Sequence, residues 1–215
     1  MIRALIFDFD GLIIDTETPL IDAYGDVHLA HGVAFDRPTF ARSVGHADYA
    51  FDPWRGFGPG ADRERLEAER QGFKQARVRA QEILPGFLRL VSEARSLGLR
   101  IGLASNSGHE HVGGHLAERG LSAHFDFVAC REDVPSPKPE PDLYRLVLNR
   151  FGLRGHEAIA FEDSHTGTLA AKRAGLWVVA VPNVSTSHHD FGHVDLQART
   201  LADCRLTELM ARFGP

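Results

Sequence analysis

The sequence predicts an α/β fold: a doubly wound parallel sheet with an α-helical cap domain inserted after its first strand. Three observations carry that expectation. Five short apolar runs alternate with four helical stretches, the pattern of a parallel sheet covered on both faces. Gly98, Gly120, Gly152 and Gly175 stand where those helices would end, as glycine does at a left-handed C-terminal cap. Residues 16–84 break the alternation: they contain helical stretches but no buried strand between them. The core is therefore expected to be Rossmann-like and to comprise residues 1–15 and 85–215, with the cap domain at 16–84.

The first run, "IRALIFDF" (2–9), is apolar up to an acidic pair, Asp8 and Asp10, with Asp15 close behind. Aspartate is a poor strand former, and carboxylates sharing a small site repel. Gly11 allows a sharp turn out of the strand. The chain then enters "TPLIDAYGDVHLAHG" (18–32) and "ADRERLEAERQGFKQARVRAQEIL" (61–84), both helical in pattern. Between them lies a segment rich in Gly, Pro and aromatics (46–60), where Trp54 and Arg55 either touch a substrate or simply pack. The glycine-rich "GFGPG" (56–60) follows no strand and includes Pro59, which lacks an amide donor, so it is not a nucleotide cradle.

Near Pro85 the chain returns to the sheet. A helix over 86–97 leads into the second run, "LRIGLAS" (99–105), and a helix over 108–119 into the third, "FDFVAC" (125–130). A helix over 140–151 precedes "AIAFED" (158–163), and one over 165–174 precedes "WVVAVPN" (177–183). Asp163 and Ser164 also suit the start of the last of these helices. His111 and His115 lie four residues apart on a helix, and "SHHDFGH" (187–193) is a second histidine cluster. Neither has an evident third zinc ligand, so both read as solvated surface.

Composition narrows the class. The 215 residues are 43% hydrophobic and 25% charged, with a formal net charge of −5, as in an ordinary soluble domain. No apolar stretch approaches the roughly 18 residues of a membrane span. The N-terminus lacks the pattern of a secretory signal. Cys130 and Cys204 provide neither a disulfide framework nor zinc-ligand spacing, which points to a reducing cytoplasm. Arginines are scattered among acids, so no basic face suggests nucleic acid. The default expectation is a monomer. Lysine is scarce: Lys74, Lys138 and Lys172 are the complete set.

In an open parallel sheet, ligands bind at the carboxyl ends of the strands. Those ends carry Asp8 and Asp10, Ser105 and Asn106, and Glu162 and Asp163, while the proline-rich loop "REDVPSPKPEPD" (131–142) brings Lys138. Clustered acids suit a hard divalent cation such as Mg²⁺. A metal held by acids can receive a phosphate, with Lys and Ser on its remaining oxygens.

The stretches "DFDGLIIDTE" (8–17), "LASNS" (103–107), "PKPEPDLY" (137–144) and "FEDSHTG" (161–167) resemble, in order and spacing, the four motifs of the haloacid dehalogenase-like superfamily. The likeness is to its phosphatase and phosphoglucomutase branch, especially small bacterial phosphatases. It implies an Mg²⁺-dependent phosphatase acting on a small phosphorylated metabolite through an aspartyl-phosphate. Asp8 would be the nucleophile, and Asp10 the general acid and then base. Ser105 and the backbone N–H of Asn106 would bind phosphoryl oxygens, and Lys138 would neutralise charge. Asp8, the Asp10 main-chain carbonyl, Glu162 (directly or through water) and Asp163 would hold the metal. The dehalogenase branch lacks the second aspartate and the metal. A β-phosphoglucomutase is the alternative. That enzyme's cap carries a His and an Arg where this chain has Leu20 and "GHADYA" (45–50). A phospho-receiver switch uses similar residues, but its phosphoacceptor lies on a later strand than its acid pair and it has no insert.

Overall fold

The computed structural model describes residues 1–43 and 51–214; the "GHADYA" segment lies outside the described residues. Six strands form one sheet: β1 (Ala4–Phe7), β2 (Arg100–Ala104), β3 (Phe127–Ala129), β4 (Ala158–Glu162), β5 (Trp177–Ala180) and β6 (Leu196–Gln197). Their spatial order is β3-β2-β1-β4-β5-β6, and every pairing is parallel. Core helices are α4 (Phe87–Ser96), α5 (His109–Glu118), α6 (Asp142–Phe151), α7 (His165–Arg173) and α8 (Leu206–Phe213). Between β1 and α4 lie α1 (Glu17–Ala30), α2 (Arg37–Ser43) and α3 (Arg63–Arg79). The five expected strands and four expected core helices are all present. β6, α2 and α8 add to them.

Period-two alternation decides the two cores. On one face Leu5 and Phe7, Ile101 and Leu103, and Ile159 and Phe161 pack against α4, α5 and α8. Phe7 stacks on Phe161 at 5.0 Å between centroids and meets Phe87 edge-on at 5.2 Å. The other face is built from small residues: Ala4, Ala104, Ala129, Ala158 and Ala160 pack against α6 and α7. A Cβ placed on Gly102 would stand 2.5 Å from Val147 Cγ1, so α6 sits closer to β2 than any side chain there allows. Gly98, Gly120, Gly152 and Gly175 all adopt positive φ, as their place after helices required.

The helical insert has its own small core. Val27 of α1, Trp54 and Leu66 of α3 are buried together, and His28 stacks on Trp54 at 5.7 Å. Trp54 is therefore packing, while Arg55 is exposed. Arg77 of α3 clasps Asp26 of α1 with bonds of 2.7 and 2.9 Å. The two chain crossings lie side by side: Leu84 N donates to Ile13 O at 2.8 Å, and Ile14 bridges to Ile83. Among the described residues, no helix is long and apolar enough to cross a membrane.

Candidate active site

β1 sits in the middle of the sheet, so its C-terminal end is flanked by the ends of β2 and β4. Phe7 is in register with Leu103 and with Phe161. Polar residues follow within two positions on each strand, which gathers Asp8, Ser105, Glu162 and Asp163 at one edge. All four are buried. Lys138 arrives from the loop before α6 and places Nζ 2.5 Å from Asp8 Oδ1, 2.5 Å from Glu162 Oε1 and 2.7 Å from Ala104 O. Its three ammonium hydrogens are thereby all committed. Asn106 holds the loop from below: its side chain accepts from Lys138 N at 2.9 Å and donates to Lys138 O at 3.0 Å. The Asn106 side chain thus anchors Lys138. Ser105 Oγ accepts from Ser107 N at 3.0 Å.

Asp10 is set apart from that cluster and carries three donors. Thr16 Oγ1 donates to Oδ1 at 2.8 Å, His111 Nε2 meets the same oxygen at 2.9 Å, and Ser107 Oγ donates to Oδ2 at 2.5 Å. His111 is therefore not a solvated helix residue, as its sequence setting suggested. Burial opposes the Asp10 charge, but the bonds from His111, Ser107 and Thr16 outweigh it and hold the carboxyl below the usual carboxylate range. As it stands, Asp10 is an ionised acceptor.

The inner carboxyls behave in the opposite way. Burial pushes Asp8 up to about 8, with Lys138 pulling it down and Glu162 and Asp10 adding repulsion. Asp163 is raised well above its ordinary value by burial and then by Asp8, Glu17 and Glu162. Burial works against the Lys138 ammonium, yet the Asp8 and Glu162 carboxylates hold its pKa above the ordinary lysine value.

Asp8, Glu162 and Asp163 each offer an oxygen within 4.8 Å of the other two. Three carboxyls face one ammonium, so full ionisation of all three would leave an excess of two negative charges in a buried pocket, and among the described residues Glu162 Oε2 has no hydrogen-bond partner. An all-oxygen donor set with an excess of two negative charges fits a hard dication such as Mg²⁺.

Five further residues support the site, and the sequence did not single them out for it. Tyr144 OH donates to Glu162 Oε1 at 2.5 Å, and Asn183 Nδ2 donates to Asp163 Oδ2 at 2.7 Å. Thr16, Ser107 and His111 hold Asp10. Thr16, Ser107 and Tyr144 lay inside the quoted motifs, which was the only available signal. Nothing local marks His111 or Asn183. Ser164 caps α7 as expected, accepting from Gly167 N at 3.1 Å.

The chain is also similar to known proteins. Residues 2–175 match the family model described as haloacid dehalogenase-like hydrolase. YhcW of Bacillus subtilis, a presumed phosphatase, is 36% identical over 214 residues, covering 98% of this chain and 97% of its own. A crystal structure of a variant of CbbY from Rhodobacter sphaeroides, in complex with xylulose 1,5-bisphosphate, shares 27% identity. It superposes with a TM-score of 0.70 over 94% of this chain and 96% of that one. A presumed β-phosphoglucomutase from Thermotoga maritima has the same fold, with a TM-score of 0.80 at 23% identity over 94% of this chain and 96% of that one. This chain belongs to the haloacid dehalogenase-like hydrolase family.

Proposed function

We propose that the protein is an Mg²⁺-dependent phosphatase that hydrolyses a small phosphorylated metabolite through an aspartyl-phosphate on Asp8. The observation that supports this most directly is the buried constellation at the strand ends: Asp8 and Glu162 on Lys138 Nζ at 2.5 Å, with Asp163 within ligand reach of both carboxylates. Names and ligands of relatives point the same way: YhcW is named as a presumed phosphatase, and CbbY binds a sugar bisphosphate.

In the first half-reaction an Asp8 oxygen bonds to phosphorus and the ester P–O bond breaks. The leaving alkoxide takes a proton from Asp10. For that step Asp10 must carry a proton that its three donors oppose, so the productive arrangement loosens at least one of them. In the second half-reaction ionised Asp10 takes a proton from water. The water oxygen bonds to phosphorus, the Asp8–phosphorus link breaks, and inorganic phosphate leaves. Lys138 holds Asp8 and the charge of the transferred group throughout. Ser105 and the Asn106 N–H orient the phosphoryl oxygens. Mg²⁺ bound by Asp8, the Asp10 carbonyl, Glu162 and Asp163 would neutralise phosphoryl charge and keep Asp8 ionised despite its burial.

Residues 16–84 act as the cap over the core of 1–15 and 85–215 in this reading. It includes a cytoplasmic monomer with no nucleic-acid partner. The alternative, a β-phosphoglucomutase-like phosphosugar mutase, differs in product: a hexose 1-phosphate would yield an isomeric hexose phosphate instead of inorganic phosphate.

The test is turnover of p-nitrophenyl phosphate and a panel of phosphometabolites with Mg²⁺. Activity should vanish in EDTA, return with Mg²⁺, and fall below a few per cent in Asp8→Asn, since an amide is no nucleophile. Undiminished hydrolysis in EDTA after exhaustive dialysis, or substantial kcat in Asp8→Asn, sinks this reading.

A further inference from the structure

His111 lies in the first turn of α5, and its Nε2 is 2.9 Å from Asp10 Oδ1. Oδ1 already accepts from the Thr16 hydroxyl at 2.8 Å and acts here as an acceptor, so Nε2 carries the hydrogen. The ring is fixed from two sides. It stands edge-on to Phe9 at 5.9 Å and 88°, and edge-on to His115 at 4.7 Å and 86°. Of the three donors to Asp10, Thr16 and Ser107 come from connecting segments, and His111 is the one that lies within a helix. The same imidazole lines a cleft of about 430 Å³ between α3 and α5, opposite Gln71 and Lys74.

The two Asp10 oxygens are not equivalent. Oδ1 accepts from both Thr16 and His111, which engages both of its lone pairs. Among the described residues Oδ2 has one hydrogen-bond partner, the Ser107 hydroxyl, which can accept a hydrogen bond as well as donate one. We propose that His111 is the positioning residue for Asp10: by anchoring Oδ1 from a rigid helix it makes Oδ2 the oxygen that gives a proton to the leaving alcohol and later takes one from water. The role asks only for an N–H at Nε2, so a neutral imidazole suffices. It rests on the phosphatase reading above and assigns a residue that the four motifs do not contain.

The test compares His111→Phe, which keeps the ring's bulk without the N–H, with His111→Gln, whose amide can donate from the same place. Rapid-quench measurements follow formation of the aspartyl-phosphate from a sugar phosphate and from p-nitrophenyl phosphate. With the sugar phosphate, His111→Phe should slow the first step by about tenfold to a hundredfold, with KM within about threefold of wild type. With p-nitrophenyl phosphate, whose leaving group needs no proton, the nitrophenol burst should keep its rate. His111→Gln should recover most of the loss. Equal slowing of both bursts, a change confined to KM, or no recovery in His111→Gln overturns the assignment. A wild type that releases phosphate from neither ester fails the phosphatase reading and removes this role with it. An active wild type matched by His111→Phe fails the His111 role alone. The contact itself is read without turnover: nitrogen NMR should find His111 as the Nε2–H tautomer, and Asp10→Ala should change it.

Discussion

Thr16 shows at the scale of one residue how the site bends local rules. It stands at the N-cap position of α1, where a threonine hydroxyl ordinarily accepts from the first turn. Here it makes no cap bond and donates to Asp10, while Asp15 Oδ1 accepts from Thr18 N at 2.9 Å instead. Such departures from local preference are expected where function is served. Gly11 is a second case. Its φ of +75° is one that L side chains rarely adopt, and a Cβ there would lie 2.5 Å from Asn183 Nδ2 and 2.6 Å from Asp163 Oδ2. Gly11→Ala should therefore strain the turn by about 1 kcal/mol and also push Asp163 and Asn183 apart. The Mg²⁺ concentration needed for half-maximal activity should rise at least about tenfold. An unchanged Mg²⁺ titration would mean that Asp163 does not take part in the metal site.

Among the elements, the contact between β2 and α6 fixes how closely that helix packs on the sheet. α6 begins four residues after Lys138, and Val147 on α6 presses onto Gly102 of β2. Gly102→Ala should destabilise the fold by about 1–3 kcal/mol, because the core there has no room for a methyl group. Val147→Ala opens that space, so the double variant should be more stable than the two single losses added together. Urea denaturation of the four proteins forms the double-mutant cycle. Strict additivity would show that the contact is not shared. Strand and helix identities were legible in the sequence because the apolar periodicity and the four C-terminal glycines agree with each other. β6 was not: it is two residues long, half-exposed, and defined by its pairing with β5. α2 and α8 are only seven and eight residues long and fell outside the main alternation.

For the whole molecule, the buried acids couple protonation to stability. Asp8 is pushed up to about 8 by burial, against about 3.9 for an exposed aspartate. The folded chain then binds this proton more tightly than the unfolded chain does. The stability this contributes is fully present below about pH 4 and is lost as pH rises through about 8. Asp163, also raised, acts in the same direction. In EDTA, Asp8→Asn should therefore gain stability relative to wild type as pH goes from 5 to 8, and Mg²⁺ should flatten the difference by favouring the ionised carboxylate. His115 and His193, both lowered by burial, pull the other way in each protein and cancel in the comparison. Thermal midpoints at several pH values check this. Parallel profiles with and without Mg²⁺ would show that Asp8 does not couple to the metal.

The sequence by itself determined the α/β class, the strand ends that carry acids, and the identity of Asp8, Asp10, Ser105, Lys138, Glu162 and Asp163 as candidates. Each of these rests on period, spacing or residue type within a few neighbours, and that information is local. Only the tertiary structure decided that the Asn106 side chain holds the Lys138 loop, that Trp54 packs inside the insert, and that half-buried His111 bonds to Asp10. His111 and Asp10 lie 101 residues apart in sequence. Their contact exists because β1 and β2 are neighbours in the sheet and α5 starts just beyond the end of β2. A helical histidine has the same local pattern whether it meets water or a carboxylate, and the sheet order decides which it meets.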